Sequence, residues 1–270
     1  MSLSSPSLLL DSLLSRFGAR DPQRLAVRLA APTALLLIAG AVYRDYRAWL
    51  DFHPGGTPPT PRGYGKMTWL RIRRWVGHGD ADARRDLRDG GAILPEAEEK
   101  EEKRGLAEEG WLRGKFTLPV RAGERPDMMD RPLPQRQEPQ ALSESLTKPL
   151  FEIIPVIHKQ HPDLVSLDLS ITEGKSADAL FARKTSAPPE TEVVKKELAH
   201  VHPADNSLHV LLCPVDAEEV AKKGWGERFV MGWVPSGWVM LYAPRDEDEL
   251  AVVERIVKAA VSFGTGEAVL

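Results

Sequence analysis

The stretch that most constrains this chain is LAHVHPADNSLHVLL, residues 198–212. Leu198 to His202 reads as a short strand, and strand side chains alternate between faces, so His200 and His202 point the same way. Pro203-Ala204-Asp205-Asn206 is turn chemistry: proline presets φ, and Asp and Asn tolerate left-handed backbone. Ser207 to Leu212 reads as the returning strand, with Leu208, Val210 and Leu212 on one face and His209 and Leu211 on the other. A loop at Ala204-Asp205, or a four-residue loop over 203–206, pairs His209 with His200. A loop at Asp205-Asn206 pairs it with His202, and a three-residue loop turns it to the opposite face. With an even loop the three imidazoles lie within about 5–8 Å of one another.

Such a face suits two chemistries. Neutral imidazoles near their pKa transfer protons, and three of them also make a ligand set for Zn or Fe with positions left open. Ordinary hydrogen-bonded sheet histidines are the third reading. Glu197 and the segment Trp225-Gly226-Glu227-Arg228 lie close in sequence and favour a site. The single cysteine, Cys213, rules out an intrachain disulfide framework. It closes an apolar strand and reads as core filler. A net charge of −3, from 36 basic and 39 acidic residues, gives no case for nucleic acid as a partner.

The N-terminal half is less regular. Residues 1–24 form a tail. Leu29 to Tyr43 is uncharged, and extending back to Leu25 gives 19 residues, enough for a transmembrane anchor over 25–43; a cleaved signal peptide and a buried core helix are the competing readings. Met67 to Val76 is an amphipathic piece whose arginines suit a lipid surface or the solvated face of a core helix. The run EAEEKEEKR within 78–110 has no apolar position and reads as a solvated insertion. Residues 111–140 are too rich in proline for regular structure, so 44–140 is a connecting region packing on the domain.

From residue 141 the pattern is globular. Leu146 to His161 has helical spacing, with Pro155 expected to bend or shorten it. Leu164–Ser170 and Ala179–Arg183 read as a strand pair. Asp216 to Lys223 reads as a helix with Asp216 as N-cap, Glu219 completing a capping box and Gly224 closing it. Trp238–Tyr242 is a strand and Glu247–Phe263 the clearest helix. This order predicts an α+β fold for 141–270, an antiparallel or mixed sheet flanked by helices, preceded by the N-terminal transmembrane helix.

The segments Arg44-Asp45-Tyr46, Arg62-Gly63-Tyr64, Gln135-Arg136-Gln137, Glu197 with Ala199-His200-Val201-His202, Ser207-Leu208-His209, Lys222 to Arg228 and Leu241 to Arg245 together resemble the fungal luciferases and their non-luminous homologues. The resemblance implies a single-pass protein of the endoplasmic reticulum or another endomembrane, held in lipid through residues 25–43, that adds O2 to an enolisable α-pyrone or phenol such as 3-hydroxyhispidin. It implies no cofactor besides molecular oxygen, with Zn or Fe as the alternative. On that reading one of His200, His202 and His209 is the base. Glu197 orients a histidine from the hairpin edge, because in a regular strand its side chain faces away. Arg228 and Arg245 hold the enolate or peroxide charge, and Trp225, Glu227 and Tyr242 bind substrate. After Gly224-Trp225-Gly226 the luminous members carry a basic residue and then His-Pro-Leu-Ala-Gly; here Phe229-Val230-Met231-Gly232 follows Arg228. That departure points to a non-luminous relative. A metal enzyme with His200, His202 and His209 as ligands, or a membrane-tethered binding module, are the alternatives.

Overall fold

A computed structural model describes residues 22–51, 56–78, 88, 110–112, 117–183, 187–229, 231 and 234–269. The chain divides into two compact units, residues 1–53 and 54–270. In the first, Pro22–Asp51 forms one helix, α1. Its side chains are described from Leu29 onward, and Leu35, Leu36, Leu37 and Ile38 are 62–73% exposed. Among the described residues no helix is long and apolar enough to cross a membrane. The uncharged run Leu29–Tyr43 covers only about 22 Å of helix, less than a hydrocarbon core of about 30 Å, and Arg44 and Asp45 follow at once. The anchor expected over 25–43 therefore does not emerge; the side chains of positions 25–28, needed to complete it, lie outside the described residues, as do most of the tail and most of the charged insertion.

The second unit holds the rest. In chain order it contains α2 (Pro61–His78), α3 (Glu144–Gln160), β1 (Val165–Leu169), β2 (Asp178–Ala182), the one-turn helix α4 (Glu190–Val193), β3 (Glu197–Val201), β4 (Leu208–Leu211), α5 (Pro214–Lys222), β5 (Gly226–Arg228), β6 (Trp238–Leu241) and α6 (Glu247–Thr265). The six strands form one sheet in the order β1-β2-β3-β4-β6-β5, every pair antiparallel. The expected α+β class is what the chain adopts. The short strand β5 and the turn α4 carry too few residues for a periodic signal.

Local chemistry explains most boundaries. In α3 the residues Leu146, Leu150, Ile153, Ile154 and Ile157 make the buried stripe, and the helix runs unbroken through Pro149 and Pro155. Both prolines sit off that stripe, Pro149 exposed and Pro155 half-buried. Helix α5 starts two residues earlier than its sequence suggests, with Cys213 as N-cap and Pro214 in the first turn. Asp216 is not its cap: its buried carboxylate accepts the N–H groups of Trp111 (2.7 Å) and Leu112 (3.2 Å). Glu219 pairs with Lys223 at 2.8 Å in place of the capping box. In α6, Asp246 is a true N-cap, accepting the Glu249 N–H at 2.8 Å.

The two faces of the sheet are unlike. One carries Leu180, Ala199, Val201, Leu208 and Val210, which pack with α3 and α6 into the main hydrophobic core. The other carries the histidines. The proline-rich segment 117–140, irregular as expected, is tied to the sheet unit. Trp225 Nε1 donates to Pro119 O at 2.7 Å, Arg121 N to Lys223 O at 2.9 Å, and the Ala243 N–H to Gln137 Oε1 at 2.8 Å. Thus Gln135, Arg136 and Gln137 are buried. In α2, Met67 and Leu70 are buried and Trp69, Trp75 and Val76 are exposed.

Replacing Asp246 by Ala removes the side chain that accepts the Glu249 N–H at the start of α6. We expect a loss of about 1 kcal/mol of unfolding free energy, read as a shift of the urea midpoint with unchanged slope.

Candidate active site

The site begins with the β3–β4 hairpin. His202 N–H donates to Ser207 O at 2.8 Å, closing a four-residue loop over 203–206 with Asn206 at φ 63°. The register pairs His200 with His209 across the strands. His202 Nε2 lies 3.1 Å from His200 Nε2 and 2.8 Å from His209 Nδ1. The three rings are buried, and the even loop places them on one face as the turn chemistry implied.

Glu197 is closer to this group than a regular strand allows. Leu180 pairs with Ala199, but the next residue, Phe181, pairs with Glu197. Leu198 is therefore an extra residue, a β-bulge that reverses the alternation at the start of β3. Glu197 consequently turns to the histidine side, and the expectation that it faces away is corrected. Its Oε1 lies 2.6 Å from His200 Nδ1. Ser170 Oγ and Thr172 Oγ1 donate to Oε1 at 2.6 and 2.8 Å, and the N–H groups of Ile171 and Thr172 donate to Oε2 at 2.9 and 3.0 Å. Burial alone would raise the Glu197 pKa, but His200 and these donors outweigh it and hold the group below its usual value.

These contacts are matched by one set of ring tautomers, assigned from the neighbouring groups. His200 Nδ1 carries its hydrogen toward Glu197, leaving a lone pair on Nε2. Ser207 Oγ donates to Asp205 Oδ2 at 2.7 Å, so it accepts from His202 Nδ1, 2.7 Å away. His202 Nε2 is then also a lone pair. His209 Nδ1–H can donate to it, which leaves His209 Nε2 with a lone pair and no hydrogen-bond partner. Burial, followed by the neighbouring His200 and Arg136, pushes the His202 pKa well below its usual value; for His209 the causes are burial, then His202, His200 and Arg136. Both rings are neutral near pH 7.

Two residues from loops complete the nest. Glu173, in the β1–β2 connection, places Oε2 3.8 Å from both His200 Nε2 and His202 Nε2. Arg136, from the proline-rich segment, pairs with the other carboxylate oxygen, Oε1. Neither stood out in the sequence as a site residue. Arg136 lies within the quoted Gln135-Arg136-Gln137, but Glu173 sits in a turn without periodicity.

A cavity of about 370 Å³ opens beside the cluster. His209, Glu173, Trp238, Phe229, Lys66 and Lys195 are among its lining residues. The His209 ring stacks on Trp238, with centroids 5.4 Å apart and planes 8° from parallel, and meets the Phe229 ring edge-on at 5.4 Å. The other sequence candidates are elsewhere. Trp225 belongs to the main core, and Tyr242 packs with Met128 and Met240. Tyr242 donates to Glu227 at 3.4 Å, and Glu227 also accepts from Gln135 Nε2 at 2.9 Å. Arg245 pairs with Glu249. Arg228 lies in β5, where its carbonyl accepts from Gln135 Nε2 at 3.1 Å. None of these five lines the cavity. Trp238 and Phe229 supply the aromatic wall, which was expected from Trp225 and Tyr242.

Comparison with known proteins gives a consistent result. A family profile described as the luciferase domain matches residues 195–260. A luciferase from Armillaria mellea is 31% identical over 97% of this chain and 96% of its own length. One from Neonothopanus nambi is 30% identical over 96% and 94%, and one from Armillaria gallica 30% over 97% and 96%. No solved structure matches the chain.

Removing one member of a buried ion pair leaves the other uncompensated. We expect Arg136→Met to cost about 3–5 kcal/mol in denaturant unfolding, and Arg136→Met/Glu173→Gln to recover part of it. Strictly additive losses in this double-mutant cycle would contradict the pairing.

Proposed function

Since the chain belongs to the fungal luciferase family, we propose that it is a luciferase-like oxygenase whose reaction takes place where the cavity meets the histidine cluster. The observation that carries this reading is His209: a neutral imidazole, stacked on Trp238, lining the cavity with Nε2 unpartnered. A planar α-pyrone or phenol fits a space of this size and can lie against the Trp238 and Phe229 rings. His209 Nε2 takes the proton of an acidic ring hydroxyl. The resulting enolate, unlike the neutral enol, is electron-rich enough to reduce O2 and combine with it. The apolar wall then keeps water from the peroxide. Lys66 and Lys195, also lining the cavity, supply positive charge for an anionic oxygen. Phe229 stands where the resemblance to luminous members breaks, and it touches His209. This favours a substrate other than 3-hydroxyhispidin itself, and dark turnover.

Membrane attachment through residues 25–43 is part of the proposal. It rests on the uncharged run Leu29–Tyr43, in which Leu35 to Ile38 are exposed. The full chain is expected to float with lipid vesicles, and Leu36→Asp/Leu37→Asp to remain in the aqueous fraction. Flotation unchanged by the double substitution would remove this part.

Oxygen uptake tests the chemistry directly. With 3-hydroxyhispidin and a panel of 3-hydroxy-α-pyrones, at least one compound should drive substrate-dependent O2 consumption. His209→Ala should lower kcat/KM by about 10²–10⁴, while Trp238→Ala should act mainly on KM. A panel that is silent throughout favours the binding-module alternative.

A further inference from the structure

The buried cluster is over-supplied with lone pairs and short of positive charge. His200 and His202 each carry their ring hydrogen on Nδ1, directed at Glu197 and at Ser207, so their two Nε2 lone pairs face each other at 3.1 Å. His202 Nε2 also has His209 Nδ1 at 2.8 Å, and one lone pair accepts one hydrogen. A proton relay through His209 satisfies that contact and leaves the opposition of His200 and His202 unrelieved. Charge points the same way. Arg136 provides one positive charge among three buried carboxylates, Glu173, Glu197 and Asp205. These acids surround the ring nitrogens with negative charge, which suits a bound cation.

We infer that His200 Nε2, His202 Nε2 and His209 Nδ1, with Glu173 Oε2 as the fourth ligand, form a binding site for a divalent first-row transition metal. The candidate ligand atoms of the three histidines lie within 4.8 Å of one another. Nitrogen ligands about 2.0–2.1 Å from a common tetrahedral centre stand roughly 3.3 Å apart, close to the 3.1 and 2.8 Å observed. Glu173 Oε2, 3.8 Å from two of the nitrogens, needs only a small side-chain adjustment. The outer partners are compatible with a metal centre: a ligating histidine ordinarily gives its other N–H to a carboxylate, a backbone carbonyl or water. Here Glu197 holds His200, and Ser207, backed by Asp205, holds His202. Three imidazoles and a carboxylate suit Zn²⁺ or Fe²⁺ and exclude Mg²⁺ and Ca²⁺, which take all-oxygen sites. Because His209 and Glu173 line the cavity, the site borders the space proposed for substrate.

This inference deepens the oxygenase reading and rests on it only for location. With His209 Nδ1 given to a metal, Nε2 would carry the ring hydrogen and orient a substrate oxygen as a donor, so the base role proposed above belongs to His209 in the metal-free protein. A metal held there would supply positive charge beside an ionised substrate oxygen.

The test needs no substrate. The full-length protein, stripped with chelator, is titrated with Co²⁺ and followed by visible absorption and by metal analysis. We expect one Co²⁺ per chain, displaceable by Zn²⁺, with ligand-field bands of nitrogen–oxygen coordination. His200→Ala/His202→Ala should abolish uptake, and Glu197→Gln should weaken it about 10–100-fold. A wild-type protein with native circular dichroism and no saturable uptake overturns the inference, as does unchanged uptake in the double variant. Metal binding without O2 consumption would sink the oxygenase reading alone; O2 consumption by a protein that takes up no metal under any loading condition would sink this inference alone.

Discussion

Everything about this fold follows from placing ionised groups beneath a sheet, away from water. A buried carboxylate or imidazole is costly unless each of its polar atoms is matched. Glu197 meets that demand with four donors from the turn at Ser170 to Thr172 and one histidine contact. Asp205 meets it at Oδ2 alone, through Ser207 Oγ and the Gln137 N–H at 3.0 Å; its Oδ1 has no hydrogen-bond partner, and burial pushes its pKa up to about 6. Matching these groups forces three separate pieces of chain to converge: the β3–β4 hairpin, the β1–β2 connection and the proline-rich segment. The hydrophobic face opposite, packed by α3 and α6, supplies cohesion but no comparable directional demand.

The proline-rich segment is accordingly part of the histidine cluster's framework rather than a spacer. It has no regular secondary structure beyond the bridge between Met128 and Gln137. It is nevertheless fixed through Arg121, whose guanidinium bonds Glu249 at 3.1–3.3 Å and the Ala243 carbonyl at 3.0 Å. That anchorage aims Arg136 at Glu173. A loop of this length inside a domain is usually functional, and here its function is to bring a cation to a group of acids.

Sequence conveyed the hairpin well because its information is local. A proline-led turn, a count of loop residues and strict alternation are enough to bring three histidines together. It conveyed less of the cavity, because the wall is assembled from distant pieces. Trp238 was visible as a strand residue, and nothing in its neighbourhood said that His209 would stack on it. Glu173 lies in a turn with no periodic signal. Glu197 was identified but aimed wrongly, since a single bulged residue, Leu198, reverses its side. Trp225 and Tyr242 were natural choices for substrate contact, but large aromatic side chains near a site are as readily used for packing, and both are buried in cores.

The cavity is built from two kinds of wall. Its floor, His209, Trp238 and Glu173, is locked into the sheet, the hydrogen-bonded turn and the ion pair with Arg136. Gly56 to Pro58 and Val193 to Lys195, which also line the cavity, lie outside the sheet. Substitutions in those two stretches can therefore reshape the cavity without touching the buried hydrogen bonds of the histidine cluster. Diversification of substrate range across such proteins should be concentrated in those two short stretches.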